Sequence, residues 1–199
     1  MHLATESSVA RCARADRVVL ASFMLAGVVG VLKGLTPTLR SDFESRGAVL
    51  DEWLDIARRC WTGSAGPYEG RFYRLEEPIY CRPVPVRAPP VLIGGMSRRA
   101  LERAGRSADG WLAQFSMEDL SEEVVGEGVD ALRAASAGKG KGNFRVAVRV
   151  TGAQRRLDEL GRRLGPLAAA GATEVIVDVD WDRDDGPARA FETLRAAVA

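Results

Sequence analysis

Pro89-Pro90-Val91-Leu92-Ile93-Gly94-Gly95-Met96-Ser97 is the stretch on which the fold turns. A short apolar run, bounded by two prolines before it and two glycines after it, reads as a buried strand, and Ser97 reads as the cap of the helix that follows. From here to the end of the chain the pattern repeats. Residues 91–93 lead into a helix over about 97–107, and residues 110–113 into a helix over about 117–137. Residues 144–150 alternate Phe144, Val146, Val148 and Val150 with smaller or charged residues, and the next helix carries Leu157, Leu160, Leu164 and Leu167 on one stripe. Residues 174–179 form the last strand, before a helix over about 187–198. Four strand–helix units in succession imply parallel pairing through right-handed crossovers, as in doubly wound sheets or (β/α)8 barrels.

Upstream of this region the pattern is less regular. Ser41 and Asp42 are cap-type residues, and Leu50, Trp53, Leu54, Ala57, Cys60 and Trp61 follow at helical spacing. The Gly- and Pro-containing run at 62–67 stops this helix, and residues 68–75 read as a turn followed by a short strand. Prolines at 78, 83, 85, 89 and 90 prevent helix or central strand, so this piece is expected to be an extended excursion.

At 199 residues the chain fits a single domain. Lys and Arg number 28 against 27 Asp and Glu, which leaves no global field to draw the chain to nucleic acid or an acidic membrane. The single histidine, His2, stands beside a terminus of the kind that is usually mobile, which removes Ser-His-Asp and Cys-His catalysis and histidine-rich metal sites. Cys12, Cys60 and Cys81 are too dispersed for a disulfide framework or a C-x-x-C zinc site, and a reducing cytoplasm is expected. Residues 18–32 are uncharged, but a membrane span needs about 17–25 residues and a signal peptide needs a cleavage site that Lys33-Gly34-Leu35-Thr36 does not offer. Two buried strands meeting at Gly27 to Gly30 are the preferred reading, with a membrane tether as the alternative.

The corner from Gly94 to Ser97 is the strongest candidate for chemistry. Glycines there let backbone approach a ligand, first-turn amides point at it, and the helix dipole favours an anion, with Arg98 and Arg99 adding to the field. Glycines also serve simply to make a strand-to-helix turn, and the local sequence leaves both readings open. Other features carry less. Gly138-Lys139-Gly140-Lys141-Gly142 lacks Walker spacing and reads as a solvated linker. Counted from Asp180, a calcium loop would need Gly where Asp185 stands and Glu where Phe191 stands, so these acids read as a solvated loop. The pairs Glu76-Glu77 and Glu122-Glu123 read as surface residues. No metal ligands and no catalytic side chain stand out.

In order, these stretches resemble the luciferase-like monooxygenase family, which includes flavin-dependent monooxygenases and oxidoreductases of the deazaflavin coenzyme F-420 (F420). The resemblance rests on Arg46-Gly47-Ala48 through Leu50-Asp51-Glu52, on Arg58-Arg59-Cys60-Trp61-Thr62-Gly63, and on Tyr68-Glu69-Gly70-Arg71-Phe72-Tyr73. It continues in Pro89-Pro90-Val91-Leu92-Ile93-Gly94-Gly95 and in Arg103-Ala104-Gly105-Arg106-Ser107-Ala108-Asp109-Gly110-Trp111-Leu112, and covers about residues 41–180. It implies an α/β fold, here an incomplete (β/α)8 barrel made mainly of its C-terminal half, with the cofactor at the C-terminal ends of the strands. Such a barrel typically takes about 250 residues. Gly94, Gly95, Met96 and Ser97 are the implied phosphate-side contacts of FMN or F420, and Ser116 is a secondary candidate.

The expected organisation is one domain, with degenerate early strands over 1–40, a hairpin and Pro-rich excursion over 62–90, and four βα units over 91–199. Residues 10–26 resemble the third barrel strand and residues 28–34 what remains of the fourth, while the first two strands have no visible counterpart. The implied function is a cytoplasmic oxidoreductase or monooxygenase acting on a small organic substrate as a homo-oligomer. The alternative is a non-catalytic barrel remnant that self-associates through its open sheet edge.

Overall fold

The structure, a computed structural model, describes residues 2–5, 44–137, 144–179, 182 and 185–197. In chain order the elements are β1 (His2–Thr5), α1 (Arg46–Cys60), β2 (Ser64–Ala65), β3 (Tyr68–Glu69), β4 (Arg74–Leu75), β5 (Ile79–Tyr80) and β6 (Leu92–Gly94). Then come α2 (Arg98–Ser107), β7 (Gly110–Ser116), α3 (Glu122–Ala135), β8 (Arg145–Thr151), a 3-10 turn at Ala153–Arg155, α4 (Leu157–Ala169), β9 (Glu174–Val177) and α5 (Gly186–Ala196). The chain divides into two compact units, Met1–Arg17 with Val91–Ala199, and Val18–Pro90.

The larger unit is the α/β fold expected from the strand–helix alternation. Its sheet runs β1-β9-β8-β7-β6, and every neighbouring pair is parallel. β7 and β8 pair along their full lengths, from Gly110↔Arg145 to Ser116↔Thr151, whereas β6 reaches only from Gly110 to Leu112 of its neighbour. Side chains alternate across a strand. Trp111, Ala113 and Phe115 therefore share one face with Val146, Val148 and Val150 and with Val175 and Val177, all buried. This face carries the helices, since the Trp111 indole lies under α3 at Gly128, where a Cβ would come within 2.4 Å of the ring.

Asp109 and Gly110 fasten the bottom of this sheet. The Asp109 carboxylate accepts from the Val91 amide at 2.9 Å, its own amide donates to the Val91 carbonyl at 2.8 Å, and its carbonyl accepts from the Arg145 amide at 3.1 Å. One residue thus ties the start of β6 to the start of β8. Gly110 is required by contact, because a Cβ there would lie 2.0 Å from the Arg145 carbonyl oxygen.

Two corrections to the sequence reading concern this unit. His2 is the first residue of β1, paired in register with Glu174, and not part of a loose terminus. A strand of four residues with no turn signals around it becomes visible only through its partner. The second helix of the series begins at Glu122, not near 117. Ser121 caps it by accepting from the Val124 amide at 3.3 Å, while Ser116 and Asp119 close a turn over the preceding residues. Arg163 of α4 then grips Glu122 with two bonds, Nε to Oε1 at 2.8 Å and Nη2 to Oε2 at 2.7 Å. The Arg163 guanidinium holds the Glu122 carboxyl below its ordinary range, against a smaller upward push from burial.

In the smaller unit α1 starts at Arg46 after Ser45; Ser41 and Asp42 lie outside the described residues, as do 10–34 and 138–142. β3 and β4 form an antiparallel hairpin, and β2 pairs antiparallel with β5, so the Pro-rich excursion contains a two-residue strand. Glu52 of α1 holds the hairpin turn. Its Oε1 accepts from the Arg71 amide at 2.7 Å, and its Oε2 from the Phe72 and Tyr73 amides at 3.0 and 3.1 Å. Burial pushes this carboxyl up, and the three amides with Arg71 outweigh it, so it sits below its ordinary value. Gly70 leaves room for the clamp, as a Cβ there would lie 2.3 Å from Glu52 Oε2.

Candidate functional site

β6 ends at Gly94, which is level with Leu112 of β7. The chain then turns through Gly95 at φ +119°, a conformation that L side chains rarely adopt, and a Cβ there would also press to 2.9 Å on the Ala100 Cβ. Glycine is therefore needed for the turn itself. The Gly95 carbonyl is fixed from below by the Trp111 indole N–H, which donates to it at 2.9 Å. Ser97 caps α2 with extended backbone, and its Oγ accepts from the Ala100 amide at 3.3 Å.

The result is an open corner, exposed from Gly95 through Arg99, at a helix N-terminus. α3 and α4 fill their first turns with their own acids, Glu122 and Glu123 in one and Asp158 and Glu159 in the other, whereas α2, like α1 and α5, has none. The Ala100 amide is capped by Ser97, and the Arg98 and Arg99 amides with the partial positive charge of the dipole face outward without a first-turn carboxylate to neutralise them. Arg98 spends part of its charge on Glu102 at 3.0 Å, and Arg99 is exposed beside it.

The structure brings Gly94, Gly95, Met96 and Ser97 into this one corner and treats Ser116 differently. The Met96 side chain borders a groove of about 740 Å³ between α2 and α3, floored by Leu101, Trp111 and Gly128, so the corner uses its backbone. Ser116 ends β7, four residues beyond the level of Gly94. Its hydroxyl donates to the Asp119 carboxylate at 2.8 Å and accepts from the Asp119 amide at 3.2 Å.

The face of the sheet turned away from the helices adds residues that were not singled out from sequence. Gln114 of β7 is in register with Arg149 of β8, and Arg149 Nη2 bonds Asp178 Oδ1 at 3.1 Å just past β9. Two layers lower, at the starts of β8 and β9, Arg145 and Glu174 make a second ion pair, Nη2 to Oε1 at 2.5 Å. Charged pairs therefore lie at both ends of the strands on this face, with Leu112, Ala147 and Ile176 between them. The one signal in the sequence was the alternation of valine with arginine from 145 to 150.

The family model described as "Luciferase-like monooxygenase" matches residues 26–173. The chain belongs to this family. An uncharacterised protein of Mycobacterium tuberculosis is 28% identical over 156 residues, covering 77% of this chain and 51% of the relative. An F420-dependent glucose-6-phosphate dehydrogenase of Nakamurella multipartita is 38% identical over 71 residues, covering 35% of this chain and 20% of that enzyme. Among solved structures, the coenzyme F420 dependent tetrahydromethanopterin reductase of Methanopyrus kandleri matches with a TM-score of 0.46 and 14% identity, over 74% of this chain and 60% of that one. The chain thus spans about half the length of the longer-matched relative, or less of the others by sequence.

Luciferase-like family members are oxidoreductases, F420-dependent ones among them. The described residues contain no helix long and apolar enough to cross a membrane, and residues 18–32 lie outside them.

Proposed function

We propose that the chain works as a cytoplasmic oxidoreductase on a small organic substrate, using F420 or reduced FMN held by its phosphate at the corner from Gly94 to Ser97. The observation that carries this reading is a helix N-terminus kept free of its own acids behind a glycine turn. The corner suits a phosphate: exposed backbone at Gly95 and Met96, the Ser97 hydroxyl, and Arg98 and Arg99 nearby. Ser116, whose proton is engaged by Asp119, is assigned a neutral accepting contact and not a phosphate contact. When bound, the reduced cofactor supplies the hydride or the electrons that activate oxygen. The chain's own residues position it and screen it from water.

Curated relatives that are F420-dependent support F420 ahead of FMN. The test is titration of the full chain with F420 and with FMN, followed by fluorescence. Saturable binding of either is expected, weakened about tenfold or more in Gly95→Ala, where the turn is strained. Absence of binding to both, or equal affinity in Gly95→Ala, would sink the proposal.

A second reading has its own observation. β6 and β1 are the end strands of the sheet among the described residues, and a strand at a sheet edge is the kind of element through which chains associate. A remnant that self-associates through such an edge predicts oligomers by light scattering that bind neither cofactor.

A further inference from the structure

Cys60 and Cys81 are far apart in sequence and adjacent in the fold. Cys60 is the last residue of α1. The chain then reverses: the Thr62 amide donates to the Arg59 carbonyl and the Gly63 amide to the Cys60 carbonyl, both at 3.0 Å, with Gly63 at φ +111°. β2 follows and pairs with β5 as Ser64↔Tyr80, and the Cys81 amide extends that ladder by donating to the Gly63 carbonyl at 2.9 Å. Cys81 is thereby fixed opposite the turn that Cys60 opens, close enough to push the Cys60 thiol up. Both are free and half-buried.

We infer that Cys60 and Cys81 are a redox pair that closes to a reversible disulfide, stapling the end of α1 to the strand after the hairpin. This goes beyond the cofactor chemistry and does not depend on it. A disulfide demands two sulfurs on backbones that can bring them to about 2 Å, and the helix turn and the β ladder hold the two backbones beside each other before oxidation. The oxidant is a small-molecule disulfide. One cysteine sulfur, as thiolate, attacks it, forming a mixed disulfide and expelling one small thiol. The second cysteine sulfur attacks the mixed disulfide and expels the other, so two protein thiols and one disulfide become one protein disulfide and two small thiols. The two protons leave with the released thiols. Burial, and then Cys81 itself, push the Cys60 thiol up, which makes the pair slow to react near neutrality and suits a response to sustained oxidation.

The experiment uses the full chain with Cys12→Ser, so that only this pair remains, exposed to oxidised glutathione and analysed by intact mass and non-reduced peptide mapping. The expected product is lighter by two hydrogens, carries one linked peptide joining Cys60 to Cys81, and returns to the starting mass with dithiothreitol. In a chain carrying Cys12→Ser and Cys81→Ser, Cys60 should stop at the glutathione adduct. Accumulation of glutathione adducts on the two-cysteine chain, links between molecules, or a folded chain left reduced while its urea-unfolded form oxidises would each overturn the inference.

Discussion

Replacing Trp111 by Phe tests whether the corner is held from the sheet beneath it. The indole N–H donates to the Gly95 carbonyl at 2.9 Å, and the side chain is 1% exposed. A neutral hydrogen bond contributes about 0.5–1.5 kcal/mol net, and because Gly95 itself is exposed, water can replace the lost donor, which places this bond near about 0.5. Exchanging indole for phenyl removes about 40 Å³ from a packed interior, worth about 1 kcal/mol at ~24 cal/mol per Å³, and the lost apolar transfer adds a similar or smaller amount. The sum is about 2 kcal/mol. For a urea slope of about 2 kcal/mol per molar, the unfolding midpoint should fall by about 1 M without a change of slope. Far-UV circular dichroism against urea measures it, and an unchanged midpoint would refute the claim that this indole supports the corner.

Gly110→Ala puts a Cβ 2.0 Å from the Arg145 carbonyl oxygen and 2.5 Å from Leu92, so β7 and β8 must part, at a cost of about 3 kcal/mol or more. Gly126→Ala in α3, with nothing within 4 Å, should be neutral or stabilising by up to about 1 kcal/mol, and thermal melts of the two distinguish contact from composition. Glu122→Gln breaks the bidentate grip of Arg163 and should cost about 1 kcal/mol at neutral pH, after allowing for side chains 30% and 24% exposed. Because the folded carboxyl is held below its unfolded value, its contribution is complete above about pH 4.3 and is lost as pH falls through the lowered folded value. The stability gap between wild type and Glu122→Gln should therefore close in acid; a gap of equal size at both ends would contradict this.

The strand–helix alternation was legible because strands buried on both faces are short apolar runs, and the runs ending at Gly94 and beginning at Gly110 stand out between turn residues. The corner was legible for the same reason, as Gly95 and Ser97 announce a turn and a cap. What escaped depended on partners distant in sequence. β1 becomes a strand only beside β9, and the Arg149–Asp178 pair joins a β strand to the loop after its neighbour. The start of α3 was misplaced because Met117 and Leu120 continue an apolar spacing, while the Ser116–Asp119 bond and the Ser121 cap, which decide the boundary, act through single hydroxyls. The Glu52 clamp likewise joins α1 to the amides of a hairpin some twenty residues later, and nothing near Glu52 advertises it.

Asp109, Gly110 and Trp111 each play a separate mechanical part, in that one carboxylate bridges strand starts, one missing Cβ lets two backbones touch, and one indole props the turn above. None of the three parts requires a substrate. A chain could lose turnover and still need this triplet to fold, so its presence certifies an assembled joint and carries no information about activity. Searches keyed to such a triplet will therefore collect working enzymes and silent descendants alike.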